Sequence, residues 1–139
     1  MRFFLDRNLS PRYARMLDAF DAMNEVRHHD DYFQPMTTDV EWIGQLSQES
    51  EDPWIVVSGD TRILQRENEV HALRTANLTF FSLAKAWSNI SYEEKGWKLV
   101  KVWPLIARDA LAIRRPTVFE VPVSATKVEP RGTTRDWRQ

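Results

Sequence analysis

Arg2-Phe3-Phe4-Leu5-Asp6-Arg7-Asn8 is an apolar run that stops at a carboxylate. A short continuous apolar run suits a strand covered on both faces, as in a parallel sheet. Asp6 then stands where strand gives way to loop, and open α/β sheets bind ligands outside the carboxyl ends of their strands. Further along, Trp54-Ile55-Val56-Val57-Ser58-Gly59-Asp60 repeats the pattern: β-branched, apolar, and closed by an acid. Leu78 to Leu83 reads as a third buried strand. Asn24 to His29, centred on Val26, reads as a more polar strand, and Thr117 to Val123 alternates like a strand that Pro122 assigns to an edge.

Helical patterns fall between these runs. Ser10-Pro11 is a helix start, with Ser as cap and Pro at the first helical position, and Tyr13, Met16, Leu17 and Phe20 share one face. Thr38-Asp39-Val40-Glu41 matches a capping box opening a helix to about Ser50, with Val40, Ile43 and Leu46 expected inward. Thr61 to Ala76 reads as a helix stopped at Asn77, and a short helix is expected around Ala84 to Trp87. Ser91 to Glu94 opens a longer helix towards Ile113, in which Trp97, Val100, Trp103, Ala107 and Leu111 recur at helical spacing. Pro104 is expected to kink or split it. The β-α-β-α-β-α-β-α-β order implies an α/β fold around a mostly parallel, doubly wound sheet. We expect one domain over residues 1–123 and a loose, Arg-rich tail over 124–139.

The totals narrow the class. The 139 residues are enough for one core, and a hydrophobic fraction of 42% is ordinary for a globular chain. The absence of cysteine removes disulfides and thiolate metal sites and fits a cytoplasmic location. No signal peptide or membrane span is expected from the apolar runs. A net charge of −1 does not advertise a nucleic-acid binder, although metal at an acidic site shifts that balance locally. With four glycines and no Gly-rich phosphate loop, nucleoside-triphosphate binding is disfavoured.

The chemistry is carried by acids. Asp6 and Asp60 end strands and Asp39 opens a helix, which places all three on one edge of a doubly wound sheet. Three such carboxylates repel unless a cation lies between them, and oxygen ligands suit Mg²⁺ or Mn²⁺. Such ions polarise phosphoryl oxygens and activate water. Asn8 offers a neutral oxygen beside Asp6, Ser58 a hydroxyl for a metal-bound water, Arg62 or Arg7 a contact for phosphate, and Glu69 a further acid. Each also has a plainer reading, as turn former, helix cap or solvated helix residue, and Glu41 reads first as the reciprocal cap. His28 and His29 are neighbours in a strand, so they point to opposite faces and do not chelate one ion together. Lys95, Lys98 and Lys101 form a stripe that suits an RNA backbone or simply a wet helix face, while Trp42, Trp54, Trp97 and Trp103 read as core.

The combination of Phe4-Leu5-Asp6-Arg7-Asn8-Leu9-Ser10, Asp39-Val40-Glu41-Trp42-Ile43 and Trp54-Ile55-Val56-Val57-Ser58-Gly59-Asp60-Thr61-Arg62 resembles the compact PIN-like domains, many of them described as toxins of VapC-like toxin–antitoxin pairs. The resemblance runs through Leu78–Leu83 to about Trp103-Pro104. It implies a three-layer α/β/α sandwich and a metal-dependent endoribonuclease using Mg²⁺ or Mn²⁺. Asp6, Asp39 and Asp60 would match its acids, and Glu69 and Glu41 are candidates for a fourth. It also implies an RNA substrate, an antitoxin protein as partner and a homodimer.

Two other classes stay open. One is a non-catalytic PIN-like scaffold that binds RNA or protein. The other is a phosphoacceptor receiver domain, for which Asp60 and Lys85 are suitably placed but which needs an acidic pair after the first strand, where this chain has Asp6-Arg7.

Overall fold

The structure is a computed structural model that describes residues 1–49, 51–60, 77–113, 116–125 and 128–133. The expected helix over 61–76, with Arg62 and Glu69, and the end of the tail from 134 lie outside the described residues.

Six strands form one sheet in the order β2-β1-β3-β4-β5-β6. They are β1 (Arg2–Leu5), β2 (Glu25–His28), β3 (Trp54–Ser58), β4 (Thr79–Leu83), β5 (Thr117–Val121) and β6 (Glu129–Thr133). The first five are mutually parallel. Among the described residues the helices are α1 (Pro11–Phe20), α2 (Asp39–Leu46) and α3 (Tyr92–Ala112), with 3-10 turns at His29–Asp31 and Lys85–Asn89. Phe3, Phe4, Leu5, Val56 and Val57 are fully buried, because helices cover both faces of the sheet.

Alternation along the strands divides the core in two. Phe3 and Leu5 point to one face, under Tyr13 and Leu17 of α1 and Leu99, Val102, Trp103 and Ile106 of α3. Phe4, Val56 and Phe80 point to the other, under Trp42, Ile43 and Leu46 of α2. The result is a three-layer α/β/α sandwich. Phe4 stacks on Trp42 at 5.2 Å between centroids, while Phe3 packs on Trp103 at 4.8 Å.

Several expectations change. Val40 is exposed, and Asp39 turns inward beside Trp42, which is core as expected. Phe20, Trp97 and Leu111 are also exposed. Pro104 does not split α3, which is helical throughout 92–112. β5 is not an edge. The stretch read as loose tail supplies β6, which pairs with β5 antiparallel and with a register irregularity. Pro122 follows β5 and so takes no donor from its ladder.

Candidate functional site

In the order β2-β1-β3 the chain runs from β1 outward to β2 and then returns to the other side of β1. The carboxyl ends of β1 and β3 therefore flank a topological switch point, where open α/β sheets form their ligand crevice. Leu5 pairs with Val57, and the Asp6 N–H donates to the Val57 carbonyl at 3.1 Å, which brings Asp6 level with Ser58. Gly59 lets the two ends close, since a Cβ there would stand 3.1 Å from a Leu9 side-chain carbon.

Asp6 is only 2% exposed. The Ser58 hydroxyl donates to its Oδ2, while the backbone N–H groups of Asn8 and Gly59 donate to Oδ1 at 3.0 and 3.5 Å. Burial pushes its carboxyl up to about 6, against the pull of these three donors, and the negative charge of Asp39 pushes the same way. A carboxyl so placed and so perturbed is a functional-site candidate on physical grounds.

Asp39 is the first residue of α2 and is 7% exposed. Its Oδ1 accepts from the Trp42 indole N–H at 2.8 Å and lies 3.7 Å from Arg7 Nη2. Nη1 of the same guanidinium donates to the carbonyls of Pro35 and Thr37 at 2.8 and 3.1 Å. Arg7 therefore staples the loop before α2 to the end of β1 and offsets part of the charge of Asp39.

Of the three expected acids, Asp6 and Asp39 come within electrostatic reach of one another. Asp60 joins through the backbone, its N–H donating to the Ser58 hydroxyl at 3.1 Å. Asn8 contributes its backbone N–H, and its side chain is exposed. Glu41 is the capping-box acid, accepting from the Thr38 N–H at 3.1 Å. Ser58 bonds Asp6 itself, where a metal-bound water was expected.

Trp42 was read only as core. Its N–H fixes Asp39, a contact that the i, i+3 spacing on a helix makes possible. Both ring nitrogens of His28 are engaged: Nε2–H donates to the Leu9 carbonyl at 2.6 Å and Nδ1 accepts from the Asp30 N–H at 3.0 Å. Two described clefts of about 420 and 540 Å³ are lined in turn by residues such as Met1, Trp54 and Thr79, and Tyr32, Phe33 and Gln45; neither includes Asp6, Asp39 or Asp60.

Among the described residues, no three His, Asp or Glu side chains converge as a metal-binding group. The Asp6–Asp39 pair still fits Mg²⁺ or Mn²⁺. Both residues offer only oxygen, and Mg²⁺ is typically held by one or two carboxylates with water and substrate phosphate completing its coordination.

The structure is thus a mostly parallel α/β/α sandwich with two buried carboxyls, Asp6 and Asp39, near its switch point. The family described as PIN like domain matches residues 1–85, and the chain belongs to it. The match covers β1 to β4 with the whole acidic edge; α3, β5 and β6 lie beyond it. No curated protein and no solved structure matches the chain. PIN-like domains are generally nucleases and usually use divalent metal ions. No helix among the described residues is long and apolar enough to cross a membrane.

Proposed function

We propose that this chain is a metal-dependent endoribonuclease that hydrolyses RNA phosphodiester bonds, held in check by an antitoxin protein. The observation that supports it most is Asp6, a buried carboxyl at the switch point, within electrostatic reach of a second buried carboxyl, Asp39. Two like charges raise each other's energy in a region of low dielectric, and the fold accepts this cost where a cation is to be bound. Asp6 and Asp39 would hold Mg²⁺ or Mn²⁺, with Asp60 at the adjoining end of β3. The bound ion supplies Lewis acidity towards a phosphoryl oxygen and the attacking water. The protein's own work is positioning. Ser58, Asn8 and Gly59 orient the Asp6 carboxylate, the Trp42 N–H orients Asp39, and Arg7 holds the loop that leads into α2.

The test is cleavage of mixed single-stranded RNA by the purified chain with Mn²⁺, Mg²⁺ or EDTA, beside Asp6→Asn, Asp39→Asn and Asp60→Asn. Metal-dependent cleavage lost in Asp6→Asn and Asp39→Asn is expected. Cleavage that survives in both variants sinks the assignment. A second reading, a non-catalytic PIN-like scaffold, is favoured by the lack of a three-ligand group among the described residues and by Arg7 standing beside Asp39. Absence of both cleavage and metal binding would select it.

A further inference from the structure

Trp42, Trp54, Trp87 and Trp103 are all 3% exposed or less, whereas Trp97 keeps 54% of its surface in water. Two lysines stand at its ring, and the acids Glu93 and Glu94 lie one turn earlier on α3. Lys98 Nζ lies 5.3 Å and Lys101 Nζ 5.9 Å from the ring centroid. Neither these lysines nor Lys95 has a carboxylate partner among the described residues. Lys98 also donates to the Val123 carbonyl at 2.8 Å, which ties this part of α3 to the turn after β5 and keeps the platform in place.

The position on the fold matters as much. β4 runs parallel to β3 and delivers the chain to the carboxyl edge, so α3 begins there. The Tyr13 hydroxyl donates to the Tyr92 carbonyl at 2.7 Å, joining the start of α3 to the first turn of α1, the helix whose cap, Ser10, follows Asp6 closely. Gly96 packs on the same Tyr13 ring. Trp97 lies about 7.5 Å along the axis from Tyr92 at 1.5 Å per residue.

We propose that Trp97, bracketed by Lys98 and Lys101, is a base-stacking subsite for single-stranded RNA that leads the strand towards Asp6, an inference that rests on the nuclease reading above. An aromatic face takes any unpaired base, and ammonium groups beside it take the phosphates on either side. A base-paired strand keeps its faces stacked internally and does not offer them.

The experiment uses the full-length Asp6→Asn chain, so that RNA is not consumed, and fluorescence anisotropy of a labelled mixed-sequence RNA 12-mer, single-stranded and as a duplex. Trp97→Ala is expected to weaken single-strand binding about five- to 150-fold, the range for loss of one stacked base. Trp97→Phe is expected to restore most of it, and duplex binding to stay unchanged. Lys101→Ala is expected to lower the slope of log K against log salt by about 0.7, one phosphate contact on a single strand. Leu111→Ala, exposed towards the far end of the same helix, is the neutral control.

Unchanged single-strand binding in Trp97→Ala, or an equal loss on duplex, overturns the subsite. So does a change in oligomeric mass with RNA binding intact, which would make this face a protein interface. If the unsubstituted chain cleaves RNA with metal and Trp97→Ala binds normally, only this inference falls. If the unsubstituted chain neither cleaves nor binds, the nuclease reading falls with it.

Discussion

At the scale of single residues, Asp6 states the conflict between stability and function most directly. Its folded carboxyl titrates near 6, above the 3.8 of an exposed aspartate, so between those values the folded chain holds more protons than the unfolded one. Stability then falls as pH rises through this window: the penalty is absent below about 3.8 and complete above about 6. Its size is about 2–3 kcal/mol, at 1.4 kcal/mol per tenfold change in proton affinity. Asp6→Asn removes the charge and keeps an oxygen for the Asn8 and Gly59 N–H groups. Its melting temperature is expected to exceed that of the unsubstituted chain at pH 7 and to converge with it near pH 4. A difference that does not shrink on acidification would show that the ionised form of Asp6 is not what costs stability. Metal affinity is expected to fall in step below pH 6, because the proton and the cation compete for the same oxygens. Asp6 was legible in the sequence because it directly follows a continuous apolar run, which marks the carboxyl end of a buried strand. The groups that hold Asp6 and Asp39 were not. Ser58, Trp42 and Arg7 are meaningful only once the pairing of β1 with β3 and the path of the loop before α2 are fixed.

At the scale of elements, legibility follows burial. β1, β3 and β4 are covered on both faces, so their sequences are continuous apolar runs and their ends were placed within a residue or two. β6, which includes Glu129, Pro130 and Gly132, carries no strand signal; an added antiparallel edge strand draws on main-chain hydrogen bonds more than on side-chain burial. In α3 the spacing of Trp97 and Leu111 fits a helical face, but the buried stripe is set by Leu99, Val102, Trp103 and Ile106, and the other two fall outside it. The loop before α2 shows the same limit, since its organiser, Arg7, lies about thirty residues upstream. One planar guanidinium serves two loop carbonyls and Asp39 at once, which a lysine ammonium does not reproduce with the same geometry. Both Arg7→Ala and Arg7→Lys are therefore expected to speed amide hydrogen exchange over residues 33–38 and to leave β1 and β3 protected. The cost in global stability is expected to be about 1 kcal/mol, the usual net value of such hydrogen bonds where water can replace the partner. Unchanged exchange in that loop would mean that it is held by its own turns, such as the Thr37 N–H to the Gln34 carbonyl, and not by Arg7.

At the scale of the molecule, the acidic edge and the fold that supports it have different extents along the chain. All the expected acids, including Glu69, lie within residues 1–85, the part that the PIN-like family matches. The cover of one sheet face does not. Phe3, Leu5, Leu17 and Phe81 share their core with Leu99, Val102, Trp103 and Ile106 of α3 and with Phe119 of β5. Fully burying an aliphatic or aromatic side chain contributes about 1.5–3 kcal/mol, so the four α3 residues alone contribute about 6–12 kcal/mol. That is the whole net stability of a typical domain, about 5–15 kcal/mol. A fragment ending at residue 85 would keep every candidate acid and still expose this face. It would also leave β4 without the partner β5. Its circular dichroism and amide NMR dispersion are expected to be those of an unfolded or aggregating chain, with no metal-dependent cleavage, while the full chain gives those of a folded domain. A folded 1–85 fragment would show that the α2 side of the sheet, with Phe4, Trp42, Val56 and Phe80, suffices as a core. The Asp6–Asp39 pair would then be supported by half of the sandwich.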